Sequence, residues 1–227
     1  MNILKKSIFA TFLAALSVPA AQAGGIALGA TRLIYPQGQQ QVSLPLINTA
    51  GDVSFLVQSW VANADGSKAA NFIVTPPLFV MKPKKENKLR IIYNGPMLPQ
   101  DRESVFYINS KAIPSVPKES LQGNTLQIAT QSVIKLFMRP QGLTTHSVDA
   151  PKSLTCQLSN GKVTVTNPSP YYVTLVQFTV NGKKLANSMV APKSSLTVNV
   201  AGMTRGAVRF GTLNDYGAAT PVQSCAQ

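Results

Sequence analysis

The sequence predicts an all-β protein built from two β-sandwich domains. Short runs of β-branched and aromatic residues dominate the chain, among them QVSLPLIN, DVSFLVQSWV and YYVTLVQFTV. Turn signals such as Asn160-Gly161 and Asn181-Gly182 separate the runs at hairpin spacing. No long segment with helical periodicity follows the first 23 residues. Many short strands with regular turns are typical of β-sandwiches.

The first 23 residues are predicted to be a secretory signal peptide. Lys5 and Lys6 precede an apolar segment, and Ala21-Gln22-Ala23 supplies the small residues of a cleavage site. A membrane anchor is the alternative, but the apolar segment is shorter than the roughly 20 residues that a spanning helix needs. We therefore expect an exported chain that begins at Gly24 and does not insert into a membrane.

The boundary between the two domains is predicted at Arg139-Pro140-Gln141-Gly142, where a strand-like run ends and a polar stretch begins. The N-terminal domain would span residues 24–139, the linker 140–147 and the C-terminal domain 148–227. Both lengths suit an immunoglobulin-like sandwich.

The two cysteines of the chain, Cys156 and Cys225, both lie in the predicted C-terminal domain. In an oxidising compartment an even pair about 70 residues apart is most simply one disulfide. Two buried thiols are the alternative.

The exported chain is strongly basic. Without the leader it keeps 19 lysines and arginines against 8 acidic residues, so acidic peptides, carboxylates or anionic glycans are better candidate partners than nucleic acid. The densest basic run is KPKKENKLR, residues 82–90. Its plain interpretation is a solvated hairpin tip, and a glycan-binding or nucleic-acid-binding role is the alternative. No aromatic residues alternate with its lysines to stack on bases.

The inventory of residues argues against an enzyme. The single histidine, His146, falls in the predicted linker, so a Ser-His-Asp relay or a multi-histidine metal site has almost no material. Most acidic residues neighbour turn residues, and no glycine-rich phosphate loop occurs. We therefore expect no catalytic residues, no metal and no cofactor.

Two cations interrupt apolar β runs: Arg32 in ALGATRLIYP and Lys135 in VIKLFMRP. A buried ammonium costs several kcal/mol unless an anion meets it, and neither run contains an acid. Each cation either extends to solvent from a strand end or pairs with a distant acid. The sharper hypothesis is that both belong to one anion site.

Seven segments together resemble a known family. They are LGATRLIYPQGQQQVSLPLIN, QSWVANADGS, TPPLF, LPQDRESVFYIN, IKLFMRP, NPSPYYVTL and NDYGAATP. In this order they resemble the periplasmic chaperones of the chaperone-usher pathway, which assemble adhesive pili in Gram-negative bacteria. The resemblance covers nearly the whole exported chain. It implies two immunoglobulin-like domains set at an angle with an interdomain cleft, and a periplasmic location.

The resemblance also implies a client-binding site. Arg32 and Lys135 match the family's two cleft cations, which bind the C-terminal carboxylate of a pilus subunit. The strand just before Lys135, from Asn124 to Gln131, would be donated to the subunit, with Leu126, Ile128 and Thr130 on one face of it. Thr130 is a departure, because the family often has a larger aliphatic residue there.

Three further charges match an ion network between the two domains of the family. They are Glu103 in LPQDRES, Arg139 in IKLFMRP and Asp215 in NDYG. The resemblance implies that they hold the angle of the cleft. Three independently solvated charges are the alternative.

The function implied by the resemblance is a non-enzymatic chaperone that caps incomplete pilus subunits and delivers them to an outer-membrane usher. The segment between Asn109 and Leu126 is short and lacks cysteine, as in the short-loop subgroup of the family. A client-free homodimer would cap its own exposed strand. The alternative function is a secreted basic module that binds glycans or anionic surfaces. Whether the peptide bond before Pro76 or Pro77 is cis stays open.

Overall fold

The computed structural model describes residues 24–116 and 126–226. Almost all regular structure in this part of the chain is β-strand, arranged in two sandwiches, so the predicted fold class is confirmed. The predicted signal peptide, residues 1–23, lies outside the described residues. The Thr75–Pro76 peptide bond is cis, which answers the question left open by the proline pair.

Nine strands form the first sandwich. Their bounds are β1 Ile26–Leu28, β2 Arg32–Pro36, β3 Val42–Asn48, β4 Phe55–Ala62, β5 Phe72–Thr75, β6 Leu78–Met81, β7 Glu86–Tyr93, β8 Ser104–Pro114 and β9 Thr130–Arg139. They make two sheets with the strand orders β1-β3-β7-β5 and β2-β9-β8-β4-β6. In β4, Phe55, Val57 and Val61 are buried while Leu56 and Gln58 are exposed, because alternate residues of a strand face opposite sides of its sheet.

Strand β9 occupies a central position in the second of these sheets. It pairs with β2 in parallel and with β8 in antiparallel orientation. Leu136 and Met138 of β9 are buried in the core, so the odd-numbered residues of the strand face the other side of the sheet. The same strand therefore supplies core residues and residues for a surface outside the core.

The second sandwich begins with a short 3₁₀ helix and continues with eight strands. Their bounds are 3₁₀ Ala150–Ser153, β10 Thr155–Ser159, β11 Lys162–Asn167, β12 Val173–Val180, β13 Lys183–Lys184, β14 Ser188–Val190, β15 Ser194–Asn199, β16 Val208–Thr212 and β17 Gln223–Ser224. One sheet has the order β10-β11-β15, and the other has the order β13-β12-β16-β17 with β14 paired to β12.

Each sandwich has a hydrophobic core of its own. Tyr35, Leu44 and Leu89 lie in the first core, and Val165 and Phe178 lie in the second. The cores do not share residues, which is the property expected of separate domains.

A disulfide joins Cys156 to Cys225, as predicted, and connects β10 to the end of the second sandwich. Within the described residues, no helix has the length and the apolar character required to cross a membrane.

Candidate functional site

Arg32 and Lys135 lie side by side on the first sandwich, and Arg32 reaches the second sandwich. The parallel pairing of β2 with β9 places Arg32 directly opposite Lys135, and paired residues of adjacent strands point to the same face of a sheet. Arg32 is only 9% exposed, and Lys135 is partly buried. The structure therefore brings together the two cations that interrupt apolar runs in the sequence.

The second sandwich contacts Arg32 directly. Nη1 of Arg32 donates a hydrogen bond to the carbonyl oxygen of Leu213 at 3.3 Å. The guanidinium carbon lies 5.6 Å from the centroid of the Phe137 ring, within the range of a cation–π interaction. Burial lowers the pKa of Arg32, although the charges of Asp215 and Glu103 partly oppose this effect. These contacts fix the direction of the guanidinium.

The surroundings of Lys135 disfavour the positive charge of its ammonium group. Burial lowers the pKa of its ammonium group, and the adjacent charge of Arg32 lowers it further. Over residues 24–116 and 126–226, no ion pair joins Arg32 or Lys135 to an acidic side chain. Two neighbouring cations without a bound acid repel each other and attract anions, and a carboxylate matches hydrogen-bond donors of this type.

Arg139, at the end of β9, connects acidic groups from both sandwiches. Its Nε donates to Oε1 of Glu103 at 2.7 Å, while Nη1 and Nη2 donate to the two carboxylate oxygens of Asp215 at 2.7 and 2.8 Å. The guanidinium also lies over the ring of Tyr171, 5.1 Å from its centroid. The structure thus places Glu103, Arg139 and Asp215 in one network.

Backbone and hydroxyl groups complete this network. The N–H of Tyr172 donates to Oε2 of Glu103 at 2.8 Å, and the hydroxyl of Ser147 donates to Oδ2 of Asp215 at 2.9 Å. The N–H of Glu103 donates in turn to the carbonyl oxygen of Pro170 at 2.9 Å. Glu103 therefore binds the backbone of the second sandwich on two sides, in addition to its ion pair.

The three charges of the network respond differently to their surroundings. Burial raises the pKa of Glu103, and Arg139 and the Tyr172 N–H only partly oppose it. Burial also acts to raise the pKa of Asp215, but the hydrogen bonds from Arg139 and Ser147 outweigh it and hold the pKa below its usual range. Burial acts to lower the pKa of Arg139, whereas its carboxylate partners keep the pKa above the usual range. Arg139 is therefore charged throughout the ordinary pH range.

Two contacts that the sequence interpretation missed also join the sandwiches. Lys193 Nζ lies 2.7 Å from Oδ2 of Asp101 at the surface. Gly217, with φ of +82°, approaches Thr31 so closely that an added Cβ would collide with the Thr31 hydroxyl. The Asn214 side chain holds the Gly217 turn by accepting hydrogen bonds from the N–H groups of Tyr216 and Ala218 at 3.0 and 2.9 Å. The glycine after Asn-Asp-Tyr was the sequence signal for this turn, but its partner was not predictable.

A cavity of about 180 Å³ lies between the sandwiches. Arg32, Arg139, Tyr171 and Asp215 are among its lining residues. Because Arg32 and Arg139 both line it, the cavity joins the Arg32 site to the Arg139 network in one cleft.

The residues before β9 are exposed and apolar. The side chains of Leu126 and Ile128 are 85% and 65% exposed, and Thr130 is the first residue of the strand. The expected strand ran from Asn124 to Gln131, but Asn124 lies outside the described residues and the ladder begins only at Thr130. Ala112 and Thr130 form the last pair of the β8–β9 ladder, although β8 itself continues to Pro114 and pairs there with β4.

A hydrogen bond connects this segment to the first sandwich. Gln127 Nε2 donates to the carbonyl oxygen of Pro114 at 2.6 Å. Val133 of β9, 52% exposed, is a further apolar residue that the sequence interpretation missed. It faces the same side of the sheet as Lys135. The segment thus presents an apolar edge that continues into the strand bearing the cleft cation.

Comparisons with known proteins identify two family matches and close relatives. Residues 25–144 match the N-terminal domain of the pili and flagellar-assembly chaperones of the PapD type, and residues 149–224 match the corresponding C-terminal domain. The probable fimbrial chaperone protein ElfD of Escherichia coli K12 is 47% identical over 225 residues, which is 99% of this chain and 96% of that protein.

Solved structures of chaperones are also similar to this chain. The crystal structure of the periplasmic chaperone SfaE is 46% identical and has a TM-score of 0.78, covering 89% of this chain and 100% of that chain. A chain in the complex of the Salmonella enterica SafA pilin with the SafB chaperone is 30% identical and has a TM-score of 0.80, covering 92% of this chain and 99% of that chain.

Proposed function

Because this chain belongs to the family of pili assembly chaperones, we propose that its cleft binds the C-terminal carboxylate of a pilus subunit. The observation that carries the proposal is the pair of neighbouring cations, Arg32 and Lys135, which stand in register on two strands. Each charge-assisted hydrogen bond to a carboxylate contributes about 1.5–3 kcal/mol. The carboxylate would also relieve the repulsion between the two cations.

The same proposal assigns a role to the segment before β9. Leu126, Ile128 and Thr130 would extend the strand along a subunit that lacks one strand of its own, with backbone hydrogen bonds formed along the added edge. Burying Leu126 and Ile128 in the subunit contributes about 1.5–3 kcal/mol each. Because Lys135 lies on the same strand, fixing the carboxylate sets the register, and a one-residue slip would turn both apolar side chains away from the subunit.

The Glu103–Arg139–Asp215 network would set the geometry of the cleft. Arg139 follows Lys135 by four residues on β9 and holds Asp215 of the second sandwich through two hydrogen bonds. Leu213, whose carbonyl oxygen binds Arg32, lies two residues before Asp215. The network therefore supports the second-sandwich group that orients Arg32.

The remaining parts of the proposal concern location, domains and partners. We infer that the chaperone works without catalysis in the periplasm, with domains at 24–139 and 148–227 joined by a linker at 140–147. It would pass its subunit to an outer-membrane usher. Without a client, the exposed apolar segment at 126–128 favours a homodimer that covers this edge. The short-loop interpretation concerns a segment that includes residues 117–125, which lie outside the described residues.

Recovery of bound pilin from the periplasm tests the anchor. Changing both Arg32 and Lys135 to alanine should lower client affinity by about 2–5 kcal/mol if the carboxylate is desolvated in the cleft. The matched control is K183A/K184A, which removes two positive charges from the exposed strand β13. Co-purified pilin should be lost from the first variant and kept by the second. Full pilin recovery with R32A/K135A would contradict the proposal.

A further inference from the structure

Five cations form a surface that the proposed function does not use. Lys82, Lys84 and Lys85 make the turn between β6 and β7, and Lys88 and Arg90 follow on β7. All five side chains are exposed. We call this set the basic face.

The register of the sheet explains why the basic face points outwards. Leu89 and Ile91 of β7 are fully buried, so Lys88 and Arg90 occupy the opposite face of the strand. Lys88 is paired with Pro45, and Arg90 is paired with Ser43 on one side and with Thr75 on the other. None of these cross-strand neighbours is acidic. On β7 itself, Glu86 lies two residues before Lys88 on the same exposed face, so one acidic side chain stands beside the five cations and the positive charge remains in excess.

The cations of the basic face repel one another in the free protein. Lys88 and Arg90 are about 7 Å apart along the strand, less than the screening length of about 10 Å at 0.1 M salt. No ion pair joins any of the five cations to an acidic group in the part of the chain that the structure describes. An extended anionic surface would remove this repulsion at all five positions at once.

The turn itself keeps a lysine where the backbone disfavours one. Lys84 has φ of +55°, a left-handed conformation that glycine and asparagine adopt more readily. The Lys85 N–H closes the turn by donating to the carbonyl oxygen of Lys82 at 3.4 Å. A cation therefore stands at the apex of the turn in place of the residues that the conformation favours.

Two isoleucines lie on the same outer face as Lys88 and Arg90. Ile73 of β5 is paired with Ile92 of β7, and the Ile73 side chain is 49% exposed. A group of cations beside exposed aliphatic residues is the combination that binds the headgroup region of an anionic bilayer.

We propose that the basic face docks this protein on anionic phospholipid. The proposal goes beyond the chaperone function and rests only on export of the chain to a compartment with membrane surfaces. The sheet that carries the basic face packs against the sheet that carries β9 through the first core. Its outward side therefore points away from the outward side of β9, and a docked chaperone keeps Lys135 accessible.

Vesicle sedimentation with the full exported chain tests the proposal. Vesicles of equal parts phosphatidylglycerol and phosphatidylcholine should bind the protein at low salt, whereas vesicles of phosphatidylcholine alone should not. Each removed cation should weaken binding about fivefold, so K82Q/K84N/K85Q should bind about 100-fold more weakly. Asn suits the left-handed backbone at position 84, so this variant should fold.

The matched control removes the same charge from another surface. K162Q/K183Q/K184Q changes three exposed lysines of the second sandwich and should bind vesicles like the unaltered protein. Both variants should recover pilin normally, which separates this proposal from the anchor at Arg32 and Lys135.

Three results would overturn the docking proposal. Equal loss of vesicle binding in both triple variants would assign the effect to net charge alone. Equal binding to neutral vesicles would remove the role of charge. Turn-dependent binding to soluble polyglutamate without vesicle binding would assign the basic face to an acidic protein partner.

Discussion

At the scale of one residue, Gly217 lies at a close contact between the two sandwiches. It combines a left-handed backbone with a close approach to Thr31, whereas Gly66, with φ of +85°, has nothing within 4 Å of an added Cβ. Alanine in a left-handed conformation costs about 1–2 kcal/mol. We therefore expect Gly66→Ala to lower the free energy of unfolding by this amount, and Gly217→Ala to lower it further because of the collision.

A double-mutant cycle separates the two causes. Thr31→Ala removes the hydroxyl that a Cβ at 217 would meet, so the T31A/G217A variant should regain the steric part of the loss but not the conformational part. Urea unfolding of the single and double variants measures the coupling. Equal losses for Gly66→Ala and Gly217→Ala would show that no tight contact exists.

Part of the site could be predicted from residue identity alone. Arg32 and Lys135 could be found because charges are conspicuous in apolar runs. The carbonyl oxygen of Leu213 and the N–H of Tyr172 could not, because every residue has these groups and only the fold selects one of them. Ser147 was equally hidden, since a linker serine has many alternative partners.

At the scale of one element, the segment before β9 should show the alternation of a strand when it binds a client. Ile128→Ser should weaken pilin binding by about 1.5–3 kcal/mol, because it removes an apolar side chain from the added strand. Ala129→Ser is the control, since a neighbouring residue of an extended strand faces the opposite side. Pilin titration of both variants measures the difference.

The stability of the free protein should not follow the same order. Ile128 is largely exposed without a client, so Ile128→Ser should leave the free energy of unfolding nearly unchanged. Similar pilin affinities for the two variants would contradict the assignment of the donated face.

Local elements were more predictable than their long-range pairing. The pairs Asn160-Gly161 and Asn181-Gly182 form two-residue turns with positive φ at all four positions, because Asn-Gly favours that hairpin geometry. The parallel pairing of β2 with β9 was not predictable, since it joins segments about 100 residues apart. The start of β9 at Thr130 was equally hard to predict, because it depends on which residues of β8 it pairs with.

At the scale of the whole molecule, the disulfide should stabilise one sandwich more than the other. Cys156 and Cys225 are 69 residues apart, and closing a loop of this length stabilises by about 4 kcal/mol. C156S/C225S should therefore lower the urea midpoint of the second sandwich. Trp60, the single tryptophan, lies in β4 of the first sandwich and reports that sandwich alone.

Two signals follow the two sandwiches in one experiment. The circular dichroism transition of the variant should move to lower urea, while the fluorescence transition of Trp60 should move less. Reductant should give the unaltered protein the same behaviour. Equal shifts of both signals would mean that the sandwiches unfold as one cooperative unit and would contradict the prediction.

Strand β9 also limits how such a chain can change during evolution. Within ten residues it carries Lys135 opposite Arg32, Leu136 and Met138 in the core, and Arg139 beside Glu103. A single inserted or deleted codon in the middle of this strand would displace some of these partners from the others in one step. Point substitutions change one partner at a time, so descendants of this chain are expected to vary in the composition of β9 and to keep its length.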